Sequence, residues 1–168
     1  QVLDAPPWSD PRLAKKPVPG VPDRSLTLRR EVLPLFLALA KDYHDTIEPI
    51  DVGTFDDWSY SYRDARYSSS WSDHASGTAI DLNASKEGWL RMNNYKWWSA
   101  PSRYRAAQAL KARYEVVMWG GSKDFGGDYY NGSTVDWMHW AIKPGVSLAQ
   151  VEDVIRRLGI NENGVRSG

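Results

Sequence analysis

Two short segments of alternating residues constrain this chain more than any other feature. Thr78-Ala79-Ile80-Asp81-Leu82-Asn83, read as a strand, sets Ala79, Asp81 and Asn83 on one face and Thr78, Ile80 and Leu82 on the other. Asp136-Trp137-Met138-His139-Trp140-Ala141-Ile142 reads as a second strand, with Met138, Trp140 and Ile142 opposite Trp137, His139 and Ala141. Ile80 and Leu82 then go to a core while Asp81 looks into a site, with small Ala79 leaving room beside it. Paired in one sheet, the two strands bring Asp81 and His139 together on the face away from the core. His74 arrives from the Ser/Gly-rich turn that precedes the first strand. A carboxylate and two imidazoles, with one position left open, form the ligand set of a catalytic zinc site.

The same residues carry a family resemblance. Ser72-x-His74-x-x-Gly77-x-Ala79-x-Asp81, followed downstream by Asp136-x-x-His139, resembles the signature of the zinc D-Ala-D-Ala carboxypeptidases and L-Ala-D-Glu endopeptidases. The run from His74 to Asn83 is most similar to the peptidoglycan-cleaving domains of actinobacteriophage endolysins, and the resemblance spans Leu26 to Pro144. It implies that His74, Asp81 and His139 hold Zn2+ and that Asp136 is the catalytic carboxylate. It also implies that Arg63, in the pair Tyr62-Arg63, faces the substrate, with Arg66 close by in sequence. We assign substrate contact to Tyr62, Ser72 and Trp137, which adjoin these residues. Ala141 stands where phage relatives often carry glutamate.

At 168 residues the chain suits one domain with a real core. Lys+Arg and Asp+Glu balance at 21 each, which gives no electrostatic reason to expect nucleic acid or an anionic membrane as partner. No stretch approaches the apolar length that spans a bilayer. With no cysteine, disulfides, thiolate metal sites and a cysteine nucleophile are all excluded. The chain starts at Gln1 without a charged and apolar leader, so no signal peptide is expected, and the start suggests a processed chain or an excised piece of a multidomain lysin. A monomer is expected. Nine tryptophans and nine tyrosines against three phenylalanines suit a glycan or peptide groove as well as a small aromatic core.

Along the chain, residues 1–25 hold most of the prolines and read as a surface arm or linker, residues 26–160 as the peptidase domain, and 161–168 as a polar, frayed tail. Leu28, Val32, Leu35, Phe36, Leu39 and Tyr43 recur at helical spacing, and Pro34 within them makes that helix begin late or kink. His44 reads as a bystander at the helix end. Ile47 to Val52 reads as a strand or an extended link, Trp58 to Arg63 as a strand, and Asp64 to Asp73 as a Ser-rich rim. The segment after Asn83, to Ser99, reads as a loop covering the sheet or as one wall of a groove. Ser99-Ala100-Pro101 opens a helix to Arg113, and Tyr114 to Trp119 is a compact strand. Two glycine pairs follow, Gly120-Gly121 and Gly126-Gly127-Asp128-Tyr129, where the family carries one Trp-Gly-Gly-Asp-Tyr run; either pair can correspond to it. Ser147 and Gln150 form a capping box for a last helix that Gly159 ends.

This order gives an α+β domain with a small, mostly antiparallel sheet backed by helices; the resemblance adds a hedgehog/DD-peptidase-like architecture. The function it implies is a zinc peptidase that hydrolyses a D-amino-acid-containing bond in the stem peptide of bacterial peptidoglycan, made in the host cytoplasm and acting at the cell wall after release. A D-Ala-D-Ala carboxypeptidase and a non-catalytic wall-binding module are the alternatives. Arg63 fits either enzyme, gripping a terminal carboxylate or polarising the scissile carbonyl.

Overall fold

Pro34 decides where the first helix starts. Its ring fixes φ and it has no N–H to donate, which suits the first turn of a helix and no later position. In the computed structural model, which describes residues 10–51, 59, 77–83, 95–129 and 135–167, α1 runs Leu33–Thr46 with that proline in its first turn. The helical spacing that began at Leu28 therefore overlaps a strand. Leu13–Val18 (β1) and Val21–Arg29 (β2) form an antiparallel hairpin packed against α1.

The hairpin corrects the expectation of an arm over residues 1–25, at least from residue 10 onward. Prolines there argued against pairing, but each strand of a two-stranded sheet has an open edge where a missing N–H breaks no ladder bond. Pro17 sits at the register shift, Gly20 turns the chain at φ +73°, and Val18, Val21, Leu26 and Leu28 are buried. Trp8 lies outside the described residues.

Ala79–Asp81 (β3), Val117–Trp119 (β4) and His139–Ile142 (β5) make a second antiparallel sheet in the order β3-β5-β4. Ile80 pairs with Trp140 and Trp140 with Trp119, while Ala79 pairs with Ala141 and Asp81 with His139. Residues directly opposite share a face, so Ile80, Trp140 and Trp119 form a core layer. Trp119 and Trp140 stack at 5.8 Å, and Tyr43 of α1 meets Trp140 edge-on at 6.3 Å. The other face carries Asp81, His139 and the two small alanines. The strand pair is thus placed as its alternation indicates, although both strands are shorter than the segments that announced them.

Pro101–Arg113 (α2) starts at its proline, after Ala100 rather than Ser99 as N-cap. Leu148–Arg157 (α3) has the expected box: Ser147 Oγ accepts from the Gln150 N–H at 3.1 Å, and Gln150 Oε1 accepts from the Ser147 N–H at 2.7 Å. The described residues thus make an α+β protein of two small antiparallel sheets and three helices, with short helical turns at Tyr95–Trp98 and Lys123–Phe125. Of the two readings of the segment from Ile47, a strand or an extended link, Ile47 to Asp51 forms no strand. The Ile50 N–H donates to His44 Nδ1 at 3.0 Å and the Ile50 carbonyl accepts from Arg24 Nε at 2.9 Å, so side chains satisfy the backbone that a ladder would have. Of the expected strand from Trp58 to Arg63, only Ser59 is among the described residues.

The tail also departs from expectation. Residues Asn161 to Ser167 fold back, with a bridge from Ile160 to Arg166, and Gly164 lies so close to α1 that a Cβ there would meet the Leu37 Cβ at 2.4 Å. Arg166 donates to Asp42 at 3.2 Å, Arg113 donates to Asp42 at 3.0 Å, and the Tyr114 hydroxyl donates to the same carboxylate. One buried aspartate thus ties α1, α2 and the tail together. Burial, then the hydrogen bond to Asp42, pushes the Tyr114 hydroxyl well above the usual tyrosine range.

A raised folded-state value means that this proton stays bound in the native state after the unfolded chain has released its own. Its contribution is complete below about pH 10 and is lost as pH rises beyond that unfolded value. Tyr114→Phe is expected to cost about 1–2 kcal/mol at neutral pH. Urea midpoints measured from pH 8 to 11 should fall more steeply for the wild type than for the variant. Parallel curves would show that the hydroxyl proton has no special hold.

Candidate metal centre

The pairing of β3 with β5 sets two polar side chains against each other inside the protein. Asp81 and His139 are register partners, and His139 Nδ1 lies 3.2 Å from Asp81 Oδ1. Asp81 is 3% exposed and His139 0%. Neighbouring Ala79 and Ala141 on the same face are fully buried and small, which leaves room beside the polar pair.

Asp136 reaches the same place by a different route. A flat strand would turn it away from His139, but β5 begins only at His139. The residues before it form a turn in which the His139 N–H donates to the Asp136 carbonyl at 3.1 Å. The Asp136 N–H in turn donates to the Gly120 carbonyl at 2.8 Å, and the Gly120 N–H donates to the His139 carbonyl at 2.9 Å. This ring of backbone bonds folds the Asp136 carboxylate back beside the pair. One ligand atom each from Asp81, Asp136 and His139 lies within 4.8 Å of the others, and all three residues are buried.

The donor set fits a divalent cation. Two carboxylates and an imidazole gathered out of water offer one ligand atom each at a spacing that can hold a metal ion. A simple aspartate–histidine hydrogen bond would have no need of the second carboxylate. Gly120 makes the approach feasible, because a Cβ on it would stand 2.3 Å from the Asp136 carbonyl oxygen and 3.3 Å from the His139 Cβ.

Of the other residues singled out in the sequence, His74, Ser72, Tyr62 and Arg63 lie outside the described residues. Trp137 is among them, and its assignment to substrate contact needs correcting. It is 2% exposed, stacks on Trp98 at 6.0 Å and packs against Trp119 and Phe125 at 5.9 Å each. The turn from Asp136 to His139 rotates its ring into this aromatic cluster, and its carbonyl accepts from Trp119 Nε1 at 2.9 Å. Trp137 buttresses the turn and does not present a surface. His44, the third histidine, serves the loop after α1.

The two glycine pairs separate by position. Gly120 is the one in contact with Asp136 and His139. Gly126, Gly127 and Asp128 fold back on β4, where the Asp128 N–H donates to the Trp119 carbonyl at 2.7 Å and Asp128 Oδ2 accepts from the Trp119 N–H at 3.1 Å. Lys111 holds the other Asp128 oxygen at 2.8 Å. Sequence reading missed two residues that shape the centre. Gly120 was read only as half of one of two glycine pairs, and Asn83, whose φ is +51°, only as the last residue on Asp81's face of a strand that in fact ends at Asp81.

No protein-family model, curated protein or solved structure matches this chain.

Proposed function

We propose that this chain is a zinc peptidase that hydrolyses a D-amino-acid-containing peptide bond in bacterial peptidoglycan, acting inside stem peptides as an endopeptidase. The observation that carries the reading is the buried Asp81–Asp136–His139 group, found at the positions that the two sequence motifs mark. Asp81 and His139 are ligands, with His74 as the third protein ligand by the motif. Zinc held there supplies a water whose pKa falls to about 7 and a Lewis acid that polarises the scissile carbonyl.

The rest of the work belongs to side chains of this chain. Asp136 takes a proton from the attacking water and delivers it to the departing amine, so one carboxylate serves as base and then as acid. Its backbone is fixed on both sides, by Gly120 and by the His139 N–H, so the short aspartate side chain has a set reach. By the motif, Arg63 adds a charge that stays positive at any working pH and would steady the developing oxyanion.

Digestion of purified peptidoglycan tests this directly. The expected products carry new amino and carboxyl termini inside the stem peptides, identified by mass spectrometry, and they disappear when a chelator is present. Binding to the wall without new termini would reduce the chain to a wall-binding module. Release of terminal D-Ala alone would make it a carboxypeptidase.

A further inference from the structure

The strand that carries Asp81 is too slight to hold it unaided. β3 has three residues and, among the described residues, lies at the edge of its sheet with β5 as its one partner, against a usual strand length of about 5–6 residues. Both of its flanks are instead fastened to other parts of the fold. At one flank the Gly77 carbonyl accepts from the Arg29 N–H at 3.1 Å. Gly77 has φ +72°, and a Cβ on it would stand 3.0 Å from Arg29 N, 3.2 Å from Arg29 Cγ and 3.2 Å from Leu13 Cδ2. The N-terminal hairpin therefore lies directly on Gly77, four residues before Asp81.

At the other flank Asn83 is 0% exposed and adopts φ +51°, a conformation that asparagine tolerates better than most residues. Its Nδ2 donates to Glu48 Oε2 at 2.9 Å and to the Pro49 carbonyl at 3.2 Å. Those acceptors belong to the segment after α1. Asn83 stands two residues beyond Asp81, so the amide fixes the strand's exit as the hairpin fixes its entry.

We propose that the N-terminal hairpin and Asn83 form a two-ended clamp on β3, and that this clamp positions the Asp81 carboxylate for metal binding. Leu13, Arg29, Gly77 and Asn83 are positioning residues. The proposal rests on the reading of Asp81 as a zinc ligand. It gives the hairpin a direct part in the centre, where the sequence had suggested an arm.

The test is zinc affinity, measured by competition with a chromophoric chelator on the full chain at a temperature where every variant is folded. Asn83→Gly keeps the left-handed backbone accessible and removes the amide, and Leu13→Ala loosens the hairpin over Gly77 without touching the motif. Each should weaken zinc binding by roughly 10–100-fold, the usual effect of losing a group that orients a ligand. Val154→Ala is the control, a comparable core loss on α3, which packs against α1; it should leave affinity within about twofold. Should Asn83→Gly fail to fold, Leu13→Ala decides. Wild-type affinity in the two clamp variants would overturn the clamp, as would equal weakening by Val154→Ala. A wild-type chain that takes up no zinc would sink the metal centre itself, and the clamp with it.

Discussion

Asp136→Asn is expected to keep its zinc and lose roughly 10²–10⁴-fold in turnover, the usual worth of a general acid–base group. The amide has nearly the shape of the carboxylate, and the backbone that places residue 136 stays as it is. Its N–H still reaches the Gly120 carbonyl and its carbonyl still accepts from the His139 N–H. What the variant lacks is a group that can take a proton from water. Binding of substrate depends on other residues, so the loss should appear in kcat with little change in KM. Because Asp136 contributes a ligand atom to the cluster around Asp81 and His139, metal content has to be measured alongside rate. Loss of zinc with turnover per bound metal preserved would make Asp136 a ligand and leave the base to be found elsewhere.

His139→Ala should abolish metal uptake and reduce peptide cleavage to background. His139 opens the central strand of its sheet and is fully buried, so the variant loses one protein ligand and leaves a buried gap in its place. The fold should survive. Trp140 holds β5 to the core through Trp119 and Tyr43, and the backbone bonds around residue 139 need no side chain. A cost of about 1–3 kcal/mol is expected for the vacated space. Circular dichroism and a urea midpoint separate a folded, metal-free variant from an unfolded one. A folded variant that still binds zinc with wild-type affinity would remove His139 from the ligand set.

What the sequence disclosed follows from how each contact is encoded. The pairing of Asp81 with His139 was legible because a strand's period of two ties every apolar residue in it to the opposite facing of its polar ones. Ile80 and Trp140 announce the core, and Asp81 and His139 follow. Trp137 was misplaced by the same rule, since alternation counted back from His139 holds only while the chain stays extended, and a turn intervenes at residues 136–139. The hairpin was hidden by its prolines, which are harmless on open edges and look prohibitive in a linear reading. The tail gave no periodic signal because it is held by contacts such as Gly164 against α1, Arg166 on Asp42 and Lys16 on Glu162 and Asn163, and none of these has a local pattern. Asn83 shows the same limit: its partners Glu48 and Pro49 lie 34 or more residues away, so only the folded chain reveals its use.

The measurement that bears most directly on the metal centre is the zinc content of the purified, folded chain, taken together with its cleavage of peptidoglycan. Three protein ligands and one open position predict about one zinc per chain. Activity should be lost on chelation and should return in proportion to zinc restored. A folded chain that cleaves the wall at full rate with no stoichiometric metal would contradict this account.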